Sequence, residues 1–505
     1  MNKAHLAIAF ALAAAGATHP AHAVHLNPRG LGQVLIYPYY TVNKGQDTLL
    51  SVVNTSEFGK VTKVSFLEGY NGRPVLDLAV YLSPHDVWTA RVSQRSDDGG
   101  AALFTNDRSC TIPLIPSSGQ DFSAASYAGG GAYPADGGPT GITRTREGSI
   151  EVIAAADIVP GSALDTATTH LQNGTPNGGV PACTPGVLRT IATADVLAPS
   201  SGLFGADSIV HVGEGTFFGY NADAISGFTD RAMTTPTDGM LGARLDGAHS
   251  SGSAFPNGAI ASVPLDNGRV LALDYARGID AVSAVFMANA IHNEYLVDAG
   301  LGAATDWIVT FPTERFYTDS FYTGGGALAP FEAAFGAPGQ SNIAIHGDIY
   351  DREEGFTDTY PPINGCGFIC PGSLPVTLPY EVNALRILPS TIQDSSEVLG
   401  SLLDSFLFPY PAPFNNVSGP GNAGWVKLDL TYGYQPAHQL SGGVTSTGTH
   451  VDLNGLPVTG FMVYNVINAN AQPGMLANYG GAFPHRANVS CSVVNPPAPA
   501  QDPCS

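Results

Sequence analysis

Lysine is almost missing from this chain: apart from Lys3 there are only Lys44, Lys60, Lys63 and Lys427. With 21 Lys+Arg against 42 Asp+Glu, the formal charge is −21, and no stretch gathers basic residues. Nucleic acid demands clustered cations to replace its counterions, and anionic lipid demands the same, so composition argues against both partners. Charged residues of either sign make up only 12% of the chain. No apolar run beyond the first residues is long enough to span a bilayer as a helix. Barrel strands give weaker hydropathy signals, but long Gly/Pro-rich loops and one helical stretch argue against that architecture. No G-x-S-x-G string occurs, so the strained turn that presents a hydrolase serine has no sequence counterpart.

Glycine (60) and proline (38) are abundant, which favours a turn-dense β protein, because both residues punctuate strands and break helices. At 44% hydrophobic, the chain can build real cores, and 505 residues suggest roughly two to four core-bearing units.

Residues 35–92 show the build most clearly. Thr48 to Val53 is β-branched and apolar and stops at Asn54-Thr55-Ser56. Leu76, Leu78, Val80 and Leu82 alternate with Asp77, Ala79 and Tyr81, and Trp88, Ala90 and Val92 alternate with Thr89 and Arg91. Period-two patterning between Gly, Asn and Pro breakers marks half-buried antiparallel strands, for which an immunoglobulin-like sandwich is the natural container. The expected fold is mainly β, with two immunoglobulin-like sandwich domains and a mixed α/β middle segment. Residues 24–160 form the first domain, completed by a strand at 146–154 after a long Gly/Ser/Ala/Pro loop. Residues 161–330 form the middle segment. Its helix is expected at about 280–298, where Val282, Val285, Phe286 and Ala290 share a face, and the apolar run Trp307–Phe311 reads as a buried strand. Residues 331–505 form the C-terminal β-rich domain, with strands at 380–388, 424–430 and 460–467.

Residues 1–23 read as a signal peptide: Lys3, a short apolar run from Leu6, and the A-x-A site Ala21-His22-Ala23. Export is therefore expected, to the cell surface, the extracellular space or the periplasm. Six cysteines in an exported chain suggest three disulfides. Six permit about fifteen connectivities; proximity suggests Cys110–Cys183, Cys366–Cys370 and Cys491–Cys504.

The strings YPYYTV, LLSVVNT, KVSFLEGYNGRPVLD and YLSPHDVWTA resemble the opening of an uncharacterised family of secreted proteobacterial proteins usually labelled "cell surface protein". NEYLVDAGLGAATDWIVTFPTERFY (293–317), FGAPGQSNIAIHGDIYDREE (335–354) and GLPVTGFMVYN (455–465) resemble it too. The resemblance implies a surface location and brings no activity.

Several constellations bear on chemistry. Ala248-His249-Ser250-Ser251-Gly252 has the closest look of a nucleophile string, but no apolar strand precedes it, and it reads as a loop. His292-Asn293-Glu294 has no second histidine one turn later, so it lacks the ligand set for zinc. Asp306, Glu314 and Arg315 frame the Trp307–Phe311 run, and only proximity in space would make the carboxylates a glycosidase pair. The densest oxygen-rich run is His346, Asp348, Asp351, Glu353, Glu354 and Asp358, from which Asp348, Asp351 and Glu353 are expected to bind a divalent cation weakly, calcium foremost. Gly129–Gly131 and Gly324–Gly326 do not sit between a strand and a helix as phosphate cradles do. No catalytic residue is assigned. The leading expectation is a surface or envelope structural protein that assembles with itself or other envelope components. A carboxylate-dependent hydrolase and a glycan-binding module, the latter using a tyrosine shelf such as Tyr37, Tyr39 and Tyr40, are the alternatives.

Overall fold

The computed structural model describes residues 22–504 apart from 98, 131, 171–178, 235–241, 299–300, 355, 359–375, 388–395, 408–422, 434–436, 469–471, 473–474, 476 and 495–501. It is mainly β, with several antiparallel sheets. The first sheet runs His25–Leu26, Asp223–Ser226, Val34–Thr41, Glu147–Ile158, Gly59–Glu68, Pro74–Leu82, Cys110–Ile112. The second runs Thr216–Asn221, Leu203–His211, Asp47–Asn54, Val87–Gln94, Ala101–Phe104, Gln120–Asp121. Their facing sides share one core, with Tyr37, Val64 and Val152 from the first meeting Leu50, Trp88 and Leu203 from the second. Strand pairing thus carries this core past residue 160, because the 203–211 and 216–221 hairpin docks on Asp47–Asn54.

The alternation in Val87–Gln94 works as read: Trp88 and Val92 are fully buried while Val87, Thr89 and Arg91 are exposed. Elsewhere period two describes only one of two buried faces. All residues of Glu147–Ile158 are buried. Ile150, Val152 and Ala154 face the sandwich core, whereas Ile153 and Ala155 join a second, larger core formed mostly by the rest of the chain.

That second core lies among three further large sheets and one two-stranded sheet. One orders Ala259–Pro264, Val270–Tyr275, Gln439–Val444, His450–Asn454 and Cys491–Val493; another orders Phe356–Asp358, Ile343–Asp351, Ala423–Asp429, Ala290–Leu296 and Arg486–Asn488. In the third, Asp404–Leu407 and Val382–Ile387 run parallel, followed by Ala303–Thr310, Thr459–Val466 and Tyr479–Pro484. Each sheet mixes strands from before and after residue 330. The Trp307–Phe311 run supplies a central strand there, with Trp307, Ile308 and Val309 at 0% exposure.

The helix is shorter than expected and must be corrected. It spans Gly278–Phe286, and the chain then turns into strand: Met287–Ala288 pairs with Leu456–Pro457, and Ala290–Leu296 pairs with Ala423–Asp429. The apolar periodicity persists beyond Phe286, but cross-strand partners more than a hundred residues away override it. Gly278 lies so close to the preceding loop that an added Cβ would sit 2.2 Å from the Ala248 carbonyl.

Disulfides join Cys110 to Cys183 and Cys491 to Cys504, two of the pairings that proximity suggests. Cys366 and Cys370 lie outside the described residues.

Candidate functional site

The two cores meet along a seam of buried charge. Gly59–Glu68 ends in a tight turn through Gly72, whose φ of +61° suits glycine. The Glu68 carboxylate accepts from the backbone N–H groups of Tyr70 (2.8 Å), Asn71 (3.2 Å) and Arg73 (2.9 Å), and from Arg144 in bidentate fashion at 2.6 and 2.9 Å. Arg144 also pairs with Asp136. Arg73 forms a second fork on Asp319, from the other core, and its remaining Nη1 donates to the Ser126 carbonyl at 2.8 Å. Arg315 closes a third contact, reaching Glu151 at 2.5 Å and Glu381 at 3.2 Å. Further along, Glu147 accepts from Tyr39 Oη (2.9 Å), Ser401 Oγ (2.6 Å) and the Leu402 N–H (2.9 Å). Backbone bonds from Glu381 to Tyr70 and from Val382 to Gly69 lie between these contacts.

Burial raises the Glu151 carboxyl even against the pull of Arg315, and it raises Glu381 well above the usual carboxylate range. Burial also pushes Glu314 up to about 8; its one partner is the Ser341 hydroxyl, and its other oxygen has none among the described residues.

The candidate carboxylates are buried within the second half of the chain. Asp306 is fully buried, raised by burial, and accepts from the Val398 (3.0 Å) and Leu399 (2.8 Å) N–H groups. Glu314 is 2% exposed. Asp306 and Glu314 are committed to different elements and offer no shared opening to a substrate. Tyr37, Tyr39 and Tyr40 are all at 0% exposure, so they are core and not a shelf. His292 and Glu294 lie two apart on the strand Ala290–Leu296, opposite Lys427 and Trp425, and not on a helix; burial lowers His292. Gly129 and Gly324 each close a four-residue helix in the left-handed region.

The oxygen-rich run folds as a hairpin, with Tyr350 paired to Phe356. Strand alternation puts Asp348 on the face of His346 and Tyr350 and sends Asp351 to the other. Asp348 lies 3.2 Å from His346 and 3.7 Å from Lys427, and Asp351 accepts from the Glu353 N–H at 2.9 Å, capping its own turn. Among the described residues no group of three or more His, Cys, Asp or Glu side chains converges as a metal site.

Sequence reasoning missed one polar cavity. A space of about 450 Å³ is lined by Asp230, Arg231, His249, Ser250, Ser251, Ser253, Ala254, Phe255 and Pro256. His249 Nδ1 lies 2.5 Å from Asp230 Oδ1, and the other Asp230 oxygen accepts from the Ser251 N–H at 2.7 Å. Burial works to raise the Asp230 carboxyl, but the bonds from His249 and Ser251 outweigh it and hold the group below its usual value. The histidine was visible in the sequence; the aspartate that orients it is 19 residues upstream, at no motif spacing.

No protein-family model, curated protein or solved structure matches the chain.

Proposed function

We propose that this chain is an exported structural protein of the cell surface or envelope, built on immunoglobulin-like β units and working by assembly. The observation that carries this reading is the fate of the conspicuous acids: Glu151 and Glu147 are spent on buried contacts to Arg315, Ser401 and Leu402 that tie the two halves of the chain together, and Asp306, Glu314 and Glu381 on buried contacts within the second half. Rigidity of that kind suits a load-bearing or display role. Two disulfides and the leader-like first residues favour export. Phe204, Val87 and Phe217, at 41%, 45% and 61% exposure on the outer face of the second sheet, supply apolar surface for contact between copies. A charge of −21 opposes such contact until cations screen it. Immunogold labelling of intact cells, with electron microscopy of the purified protein in calcium and in chelator, tests the reading. A protein confined to the cytoplasm, or one monomeric under both conditions, overturns it.

A second reading, a glycan-binding module, is favoured by one observation, the polar cavity around His249. It is compatible with the first, since surface proteins commonly combine a scaffold with a binding site.

A further inference from the structure

The cavity around His249 has the groups to select its ligand. A carboxylate only accepts hydrogen bonds, so the 2.5 Å contact places the His249 proton on Nδ1, facing Asp230. The ring's other nitrogen, Nε2, has no protein partner among the described residues. His249 is itself only 7% exposed, so the ring is held in the wall and does not swing in solvent.

The surrounding loop is pinned at several points. Ser250 Oγ accepts from the Ile260 N–H at 3.1 Å. Asp274 accepts from Ser253 Oγ (2.6 Å) and the Ala254 N–H (2.7 Å). The Asp230 and Asp274 charges are thereby taken up within the protein. Arg231 is exposed at the rim, its guanidinium 3.5 Å from the Pro256 carbonyl, and it makes no salt bridge among the described residues. Phe255 and Pro256 add an apolar wall.

The wall therefore combines an oriented imidazole nitrogen for a hydroxyl, a cation for a carboxylate, and an apolar surface for a ring face. Its volume falls within the range of about 300–1,000 Å³ usual for small-molecule sites. We infer that this cavity binds an acidic sugar, a hexuronate residue, with its carboxylate on Arg231, a ring hydroxyl hydrogen-bonded to His249 Nε2, and its apolar face on Phe255. This inference rests on the glycan-binding reading and gives it a site and a ligand class.

The test is calorimetric titration of the full chain with glucuronate, glucose and benzoate. Glucuronate should bind saturably, at least tenfold more tightly than either of the others. Arg231→Gln, at an exposed position, should remove most of that advantage over glucose, and His249→Gln should weaken both sugars. An unchanged melting temperature separates lost recognition from lost folding; if His249→Gln unfolds, Phe255→Ala takes its place. Glucose binding as tightly as glucuronate overturns the acidic-sugar assignment and leaves the glycan reading standing. No binding of either sugar overturns both. Benzoate matching glucuronate marks a simple carboxylate site and also overturns the assignment.

Discussion

Arg73 and Asp319 stand 246 positions apart in the chain and meet as a two-bonded ion pair with side chains 0% and 2% exposed. A fork of this kind is strong because both bonds are charge-assisted and the guanidinium plane matches the carboxylate. Removing one partner strands the other charge out of water.

Asp319→Ala should therefore destabilise the protein by about 3–5 kcal/mol, measured by urea unfolding. The double variant Arg73→Met/Asp319→Leu should recover much of that loss, because no uncompensated charge remains. Equal losses in the single and double variants would mean that packing, and not charge pairing, sets the cost.

Glu314 gives stability a pH dependence of defined sign. Its carboxyl is raised from 4.5 to about 8 in the fold. The folded state thus holds a proton that the unfolded chain releases. The group's contribution is complete below about pH 4.5 and is lost as pH rises through about 8. Glu314→Gln should flatten the decline between those limits by on the order of 1 kcal/mol per pH unit, read from unfolding curves across the range. A wild-type slope retained in the variant would reassign the effect to Asp207, which burial also raises to about 8.

Two glycines separate backbone strain from crowding. Gly72 and Gly161 both have positive φ, +61° and +78°. A Cβ on Gly72 would sit 2.0 Å from Glu381 Oε2, while one on Gly161 would meet nothing within 4 Å. Gly161→Ala should cost about 1–2 kcal/mol, the left-handed penalty alone. Gly72→Ala should cost clearly more in the same thermal melt, because it also displaces a buried acid.

The Cys110–Cys183 bridge closes a separation of 73 residues and Cys491–Cys504 one of 13. On loop-closure grounds their loss should cost about 4 and about 3 kcal/mol as upper estimates, so Cys110→Ser/Cys183→Ser should melt lower than Cys491→Ser/Cys504→Ser. Intact-mass measurement before and after reduction counts the bridges. The same spectra should give a mature chain that begins at Val24.

The strands were largely legible in the sequence because their signal is local. Trp88, Ala90 and Val92 alternate with exposed neighbours, and burial follows them. The seam was not, since nothing near Arg73 names Asp319 as its partner. A trace of it was nevertheless written down: Glu68, Asn71 and Arg73 sit in KVSFLEGYNGRPVLD, and Asp306, Glu314 and Arg315 in TDWIVTFPTERFY. In both stretches the fold gives those charged residues a structural use. Glu147, Glu151 and Asp157, embedded in an otherwise small and apolar strand, were the other clue, because burying isolated acids requires partners. The helix was over-extended because periodicity cannot register a strand partner in Ala423–Asp429. The His249 cavity depends on Asp230 and escaped for the same reason.

The sheet that begins with Ala259–Pro264 is completed by Cys491–Val493, so more than two hundred residues intervene between its first strand and its last. A chain emerging N-terminus first must hold Val270–Tyr275 unpaired on one side until Gln439–Val444 arrives. Meanwhile the first sandwich stands complete, with Glu151 uncovered where Arg315 will later dock. A chain that ended after Ser226 but before Arg315 would therefore leave Glu151 without Arg315 and Arg73 without Asp319, an unpaired acid beside an unpaired base on one face of the first sandwich.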